Sequence, residues 1–292
     1  MAGSTTDKTI SVIVPAYNEK DKIAAVISSL KDVLGKGGYK HEIIVIDDGS
    51  TDGTQEILKG ITGIKLIVNE SNSGYGYSLK RGFSNASHDI AVIIDADGTY
   101  PADKIPELVS HMDRYDMVVG ARTSANVYMP PLRKAMKKIL NMLANYLSGK
   151  DIPDLNSGLR VIKRDIVKRF FNILPSGFSF TTTITLALLT NDYAVKYVPI
   201  DYAHRKKLSK FHPVKDTANM FMLIIRAILY FNPLKIFMPI GLFMIAAGII
   251  VFITSMIFLP KILDATTTVL VTVGIQTIVI GLLADLIDKK LR

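Results

Sequence analysis

The chain has 292 residues, a formal net charge of +9, 49% hydrophobic residues and no cysteine. Without cysteine it forms no disulfide and has no thiolate metal site, which fits a reducing compartment. The basic excess suits an anionic membrane surface or phosphorylated ligands. Nucleic acid is the competing partner, but the sequence carries no nucleic-acid-binding motif, so we do not expect it.

Hydrophobic residues concentrate near the C-terminus in two runs without a charged residue, at 236–259 and 265–284. At a rise of about 1.5 Å per residue, each run is long enough to cross a hydrocarbon core of roughly 30 Å. Because only the short segment 260–264 separates them, the pattern predicts a transmembrane hairpin. A helical hairpin buried in a soluble core is the alternative.

Basic residues flank the outer ends of both runs, whereas the loop between them holds only Lys261, which Asp264 offsets. The positive-inside rule therefore predicts an integral protein of the cell (plasma) membrane with the N-terminal domain and both termini in the cytoplasm. No apolar leader is visible at the N-terminus, so we expect no signal peptide. The flanking basic residues are Arg226, Lys235, Lys289, Lys290 and Arg292.

The N-terminal part alternates short apolar segments with helical patterns. Strands are predicted at 10–14, 41–46, 64–68, 90–94 and 117–120, and helices at 21–34, 54–59, 75–85 and 101–115. Strands that alternate with helices at this spacing form right-handed βαβ units. The fold class is therefore α/β, with a parallel, doubly wound sheet.

Polar clusters follow four of the predicted strands, where an open parallel sheet binds its ligands. They are residues 15–19, 47–50, 95–97 and 120–122. Carboxylates and an arginine that meet at one edge predict a pocket for a nucleotide phosphate and a metal. The sequence has neither a GxGxxG after the first strand nor a GxxxxGK[ST], which argues against a dinucleotide dehydrogenase and a P-loop NTPase.

Asp95-Ala96-Asp97 ends the fourth predicted strand. Because burying unpaired charge is costly, these carboxylates belong at the end of the strand and not in the core. Oxygen ligands of this kind suit Mg²⁺ or Mn²⁺, with substrate phosphates completing the shell. A helix N-cap with a solvated turn is the alternative for this motif.

Three motifs together resemble the family 2 glycosyltransferases of GT-A fold: residues 14–19 (VPAYNE), 47–54 (DDGSTDGT) and 95–97 (DAD). Residues 156–160 (NSGLR) and 204–210 (HRKKLSK) are similar to the polyprenyl-phosphate branch of that family, which includes the dolichol-phosphate mannose synthases. The resemblance covers about residues 8–212. It implies a cytoplasmic GT-A domain at 1–212 with a Rossmann-like, mostly parallel sheet. The mixture of apolar and charged residues that follows predicts an interfacial amphipathic helix at 213–233, before the transmembrane hairpin at 234–292.

The resemblance also implies roles for the strand-end residues. Asp95, Ala96 and Asp97 would bind the metal–diphosphate group, with Asp97 the direct ligand of Mg²⁺ or Mn²⁺. Thr99 stands where synthases of the family often carry glutamine, and its hydroxyl or a water could replace that ligand. An Asx-turn or helix cap is the alternative for Asp47. The base and ribose of the nucleotide-sugar would be held by Pro15, Tyr17, Glu19, Asp47 and Asp48.

Basic residues would bind the donor diphosphate and the acceptor phosphate, because the planar fork of arginine meets phosphate oxygens bidentately. A solvated or lipid-facing basic surface is the alternative for neighbouring lysines such as Lys134 and Lys206. The residues implied by the resemblance are Arg122, Arg133 and Arg205, with Lys137 and Lys210 beside them at the acceptor phosphate.

The segment 163–191 bears on the acceptor, since Asp165 is its only acid. Members of the family that glycosylate a hydroxyl generally carry a carboxylate base here, and a sugar hydroxyl needs its proton removed in the transition state. A phosphate monoester, whose second pKa is about 6, is already a dianion at neutral pH. The missing acid therefore points to a lipid phosphate as the acceptor.

The chain also has no tryptophan, so it lacks the Q/RxxRW motif of the processive polysaccharide synthases.

The sequence therefore predicts an inverting, metal-dependent enzyme that transfers a sugar from a UDP- or GDP-sugar to dolichyl or undecaprenyl phosphate at the cytoplasmic membrane face. Inversion would follow from one in-line displacement without an enzyme nucleophile. Two alternatives stay open, namely transfer to a lipid or glycan hydroxyl, and a membrane-anchored scaffold that binds a nucleotide-sugar without turnover. Assembly into a homo-oligomer also stays open.

Overall fold

The computed structural model describes residues 8–122, 142, 145, 146, 148–177, 179–202, 233–261 and 263–291. The chain divides into two compact units, at 1–211 and 212–292. The interfacial helix that the sequence predicts at 213–233 lies outside the described residues except for its last residue. The boundaries of the predicted domains therefore stay predictions.

The described part of the first unit contains a seven-stranded sheet, with the strands in the order β3-β2-β1-β4-β6-β5-β7. Strand β6 runs antiparallel to its neighbours β4 and β5, and the other neighbouring strands are parallel. The predicted mostly parallel sheet is confirmed, with β6 and β7 added to the predicted strands. The strands are β1 Thr9–Ala16, β2 Lys40–Asp47, β3 Lys65–Val68, β4 Ile90–Ile93, β5 Met117–Arg122, β6 Arg160–Lys163 and β7 Val195–Ile200.

Helices cover both faces of this sheet. The predicted helix at 101–115 is shorter in the structure, where a 3₁₀ turn at Ala102–Lys104 leads into a helix that ends at Ser110. After Ser110, backbone N–H groups donate hydrogen bonds to carbonyl groups three residues earlier, so the chain continues as tight turns. The described helices of the first unit are α1 Ile23–Lys36, α2 Thr54–Lys59, α3 Tyr75–Asn85, α4 Ile105–Ser110, α5 Arg164–Arg169 and α6 Phe180–Thr190.

The core has two layers because successive strand residues point to opposite faces of the sheet. Val12 packs in the layer shared with α1 and α4, and Ile13 packs in the layer shared with α3, α5 and α6. Buried aliphatic side chains fill both layers.

Strands β1, β2 and β4 are parallel neighbours in the sheet. Their carboxyl ends therefore meet at one edge.

The second unit contains α7 Leu234–Phe258 and α8 Asp264–Leu291, which confirms the predicted hairpin with slightly different ends. Both helices are long and apolar enough to cross a membrane. Glycines let them pack closely, since a Cβ at Gly241 would lie 2.7 Å from the carbonyl oxygen of Gly274. Large apolar side chains such as Phe243 and Phe258 are exposed, as expected of helices that face lipid.

Candidate active site

A cleft of about 320 Å³ opens at the carboxyl ends of β1, β2 and β4. It brings together most of the predicted nucleotide-sugar residues that the structure describes, although Asp47 and Arg122 do not line it. Arg133, Lys137, Arg205 and Lys210 lie outside the described residues, so their roles stay predictions. The cleft is lined by Pro15, Ala16, Tyr17, Glu19, Asp48, Asn72, Gly74, Tyr75, Ser78, Asp95, Ala96, Asp97 and Gly177.

The loop after β1 is held by the turn that precedes α2. The backbone N–H of Asn18 donates to the hydroxyl of Ser50, and that of Glu19 donates to the hydroxyl of Thr54, both at 2.9 Å. These contacts fix the loop that carries Tyr17, a residue that is 44% exposed. An exposed aromatic face in a cleft is a suitable surface for a nucleotide base.

Asp48 lies in the cleft and organises the segment that enters α3. Its Oδ1 accepts hydrogen bonds from Asn69 Nδ2 at 2.6 Å and from the backbone N–H of Ser73 at 3.0 Å. Its Oδ2 accepts one from the backbone N–H of Gly74 at 2.9 Å. The carboxylate therefore shapes the cleft wall, and a direct contact with the nucleotide stays a prediction.

Asp47 is fully buried at the end of β2 and does not line the cleft. Its Oδ1 accepts a hydrogen bond of 3.3 Å from the backbone N–H of Ser50. Its Oδ2 has no hydrogen-bond partner among the described residues. This geometry favours the turn role that the sequence offered as the alternative for Asp47.

Asp95 is held in the cleft from two neighbouring segments. The hydroxyl of Tyr75, the first residue of α3, donates to Asp95 Oδ1 at 2.9 Å. Gly158 lies so close that a Cβ there would be 2.2 Å from Asp95 Oδ2. The Gly158 N–H in turn donates to the hydroxyl of Tyr100 at 2.7 Å. Gly158 belongs to the motif at 156–160, so this motif lies against the first aspartate of the DxD sequence.

Asp97 is braced by Thr99, which is buried. The backbone N–H and the hydroxyl of Thr99 both donate to Asp97 Oδ1, at 3.1 and 2.6 Å. This is the local turn chemistry of an aspartate two residues before a donor. Thr99 therefore supports the orientation of Asp97. This role differs from the predicted one, in which the Thr99 hydroxyl or a water replaces the glutamine of other synthases.

Arg122 binds Asp154, a partner that the sequence did not reveal. The guanidinium donates from Nε to Oδ2 at 2.7 Å and from Nη2 to Oδ1 at 2.9 Å, and the backbone N–H of Arg122 also donates to Oδ2. Burial acts to raise the pKa of Asp154, but the bidentate contact outweighs it and the pKa is lowered. The fork of Arg122 thus faces a carboxylate, and phosphate binding by this residue stays a prediction.

Arg160 is fully buried and ties the 155–159 segment to the core. It donates to the carbonyls of Ser157 and Leu155, each at 2.7 Å, and to the hydroxyl of Thr185 at 2.5 Å. Burial lowers its pKa. Because the 155–159 segment contains Gly158, Arg160 supports the wall behind Asp95.

Asp95 and Asp97 suit a hard divalent cation by their chemistry, since carboxylate oxygens are the ligands that Mg²⁺ and Mn²⁺ prefer. The described residues contain no group of three or more His, Cys, Asp or Glu side chains placed to hold a metal. A two-carboxylate site of this kind binds Mg²⁺ together with substrate phosphates and water. The donor set therefore fits a metal that arrives with a nucleotide.

Comparison with known proteins agrees with this fold. Residues 11–171 match the glycosyl transferase family 2 domain, and residues 232–289 match the GtrB C-terminal hairpin. Together with the two apolar helices, the hairpin match indicates a membrane protein. The undecaprenyl-phosphate 4-deoxy-4-formamido-L-arabinose transferase of Pectobacterium atrosepticum is 30% identical, over 80% of this chain and 71% of the relative. The enzyme of the same name from Pectobacterium carotovorum is 27% identical, over 97% and 89%.

Solved structures share the fold over about three quarters of this chain. Glucosyl-3-phosphoglycerate synthase from Mycobacterium tuberculosis, in complex with Mn²⁺, UDP and phosphoglyceric acid, superposes with a TM-score of 0.60 at 23% identity, covering 77% of this chain and 79% of the other. Mannosyl-3-phosphoglycerate synthase from Rubrobacter xylanophilus gives a TM-score of 0.59 at 20% identity, covering 76% and 72%. The fold is GT-A, the protein is a glycosyltransferase, and the chain belongs to glycosyl transferase family 2.

Proposed function

We propose that this enzyme transfers a sugar, with inversion, from a UDP- or GDP-sugar to a polyprenyl phosphate at the cytoplasmic face of the membrane. The observation that carries the proposal is the charge of the cleft. In the described part of the chain, its lining includes Glu19, Asp48, Asp95 and Asp97 and neither lysine nor arginine. A nucleoside diphosphate is itself an anion, and a divalent cation bound by these carboxylates would offset the repulsion between them and the diphosphate.

The proposed metal is Mg²⁺ or Mn²⁺, held by Asp97 with Asp95 beside it. When bound, it offsets the negative charge that develops on the departing nucleoside diphosphate. The related fold with Mn²⁺ and UDP supports this choice. Pro15, Tyr17 and Glu19 would hold the base and ribose, because their loop lies next to the carboxylates and is fixed by the turn before α2.

The proposed acceptor is a lipid phosphate because helix α6 supplies no carboxylate base. Helix α6 begins beside the 154–160 segment, where the hydroxyl of Thr182 donates to the side-chain oxygen of Asn156. The eleven residues of α6 include no acid. A phosphate dianion needs no general base, whereas a hydroxyl acceptor does. The names of the two Pectobacterium relatives, which specify undecaprenyl phosphate, support the same acceptor class.

The proposed chemistry is a single displacement. An oxygen of the acceptor phosphate forms a bond to the anomeric carbon while the bond from that carbon to the donor diphosphate breaks, and the nucleoside diphosphate leaves with the electron pair. One displacement at the anomeric carbon inverts its configuration. Cationic side chains would place the two phosphates, and the proposed set is Arg122, Arg133, Lys137, Arg205 and Lys210.

The test pairs UDP- and GDP-sugars with undecaprenyl and dolichyl phosphate, and with the matching alcohols, in detergent with Mn²⁺, Mg²⁺ or EDTA. We expect lipid-linked product only with a phosphorylated lipid and a divalent metal. Proton NMR of that product should show the anomeric configuration opposite to that of the donor. Product on the alcohols would favour the hydroxyl-acceptor alternative. Absence of product with every pair would refute transfer to a polyprenyl phosphate.

A further inference from the structure

Tyr75 is the first residue of α3 and lines the cleft beside Asp95. We propose that its hydroxyl is a positioning group which, together with the absence of a side chain at Gly158, fixes the carboxylate of Asp95 in the orientation that receives the metal and the nucleotide diphosphate. The inference rests on the proposed function and adds to it a residue that governs metal affinity without touching the reacting atoms.

The first contact is the hydrogen bond of 2.9 Å from the Tyr75 hydroxyl to Asp95 Oδ1. A hydrogen bond to an ionised acceptor is roughly twice as strong as one between neutral groups. A tyrosine phenol has an ordinary pKa of about 10. The phenol therefore keeps its proton and acts as a donor throughout the neutral pH range.

The second contact is steric. The Cα of Gly158 lies against the carboxylate of Asp95, because a Cβ built there would be 2.2 Å from Oδ2 and 2.5 Å from Cγ. Real Cβ atoms do not approach so closely, so any larger residue at 158 must displace the carboxylate. Tyr75 thus holds one oxygen of Asp95 while Gly158 leaves room for the other.

The position of Tyr75 is itself fixed by the backbone around it. Gly74 has a φ of 102°, a conformation that residues other than glycine rarely adopt. A Cβ at Gly76 would lie 2.2 Å from the carbonyl oxygen of Pro175. The backbone N–H of Tyr77 donates to the carbonyl of Ser176 at 2.9 Å. The start of α3 is therefore packed directly on the 175–177 loop, which fixes the backbone of Tyr75 beside Asp95.

The experiment compares the full-length wild type with Tyr75→Phe, which removes only the hydroxyl. Tyr77→Phe is the matched control, since Tyr77 lies on the same helix, is 40% exposed and does not line the cleft. Binding of UDP and GDP is titrated by calorimetry at several Mn²⁺ concentrations. Kinetic constants for the donor and thermal unfolding midpoints are measured for each variant.

We expect Tyr75→Phe to raise the Mn²⁺ concentration for half-maximal nucleotide binding about tenfold, because partners that orient a metal-binding carboxylate typically contribute about 10- to 100-fold to metal affinity. At saturating Mn²⁺ the nucleotide Kd and kcat should return to within about twofold of the wild type. Tyr77→Phe should match the wild type. Equal behaviour of Tyr75→Phe and Tyr77→Phe would overturn the inference. A nucleotide Kd that stays weak at saturating Mn²⁺ would also overturn it, because Tyr75 would then contact the nucleotide directly.

Gly158→Ala tests the steric half of the inference, with Gly35→Ala as its control, because a Cβ at Gly35 meets nothing within 4 Å. We expect Gly158→Ala to weaken Mn²⁺-dependent nucleotide binding by at least tenfold, and unchanged binding in a folded protein would refute it. The outcomes separate the two proposals. A wild type that binds Mn²⁺ and nucleotide but transfers no sugar refutes the proposed function alone, and one that binds neither refutes both.

Discussion

The ion pair between Arg122 and Asp154 gives a stability prediction whose size follows from burial. The Asp154 side chain is 2% exposed and accepts hydrogen bonds from Arg122 Nε, Arg122 Nη2 and the backbone N–H groups of Arg122 and Asn156. Removing one partner of a buried pair typically costs about 3–5 kcal/mol. Because the Arg122 side chain is 23% exposed, water can recover part of its solvation. We therefore expect Asp154→Ala to lower the free energy of unfolding by about 3 kcal/mol, at the low end of that range.

The assay is urea unfolding of the detergent-solubilised protein, followed by far-UV circular dichroism. Asp32→Ala is the control, because Asp32 pairs with Lys36 at a similar distance of 2.9 Å while both side chains are at least 70% exposed. An exposed pair of this kind contributes only about 0.3–0.5 kcal/mol. A difference between the two variants of less than about 1 kcal/mol would refute the argument that burial makes Asp154 costly to remove.

Three further predictions concern the carboxylates. Asp97→Ala should lower metal-dependent turnover roughly 100-fold or more, as measured by lipid-linked product, and near-wild-type turnover would remove the metal assignment. Thr99→Val should raise the half-saturating Mn²⁺ concentration about tenfold while Thr99→Ser restores it, and equal values for both would show that the hydroxyl does not brace Asp97. The lowered pKa of Asp154 implies stability that is complete above the unfolded pKa of about 4 and lost as pH falls through the folded value. Unfolding midpoints measured against pH should therefore fall more steeply in acid for the wild type than for Asp154→Asn, and parallel curves would contradict the linkage.

The sheet could be predicted where a strand is apolar on both faces. Strands β1, β2 and β4 each contain a run of buried, mostly aliphatic residues, and such a run can be recognised in the local sequence. Strand β6 gives no such signal, since its four residues are Arg160, Val161, Ile162 and Lys163. Arg160 is buried there because carbonyls of the preceding segment and a threonine of α6 accept its hydrogen bonds. Those acceptors become neighbours of Arg160 only when the chain folds.

The carboxylates of the cleft could be predicted from the sequence, whereas their supports could not. Asp95 and Asp97 follow an apolar strand, and that position alone places them at the ligand-binding edge of the sheet. The groups that orient Asp95 come from Tyr75 and from Gly158, which lie on different elements and far from Asp95 in the chain. Thr99 is the exception because it is a local turn partner, and turn chemistry could have identified it.

The distribution of charge connects these features to function. The carboxylates Asp48, Asp95 and Asp97 accept hydrogen bonds from backbone N–H groups or neutral side chains. Neutral donors orient a carboxylate without cancelling its charge, unlike the arginine that binds Asp154. The described lining of the cleft contains these carboxylates and neither lysine nor arginine. A divalent cation bound by these carboxylates would offset their repulsion of a nucleotide diphosphate. We infer that the metal and the nucleotide bind as a pair, so metal dependence begins at donor binding and not only at sugar transfer.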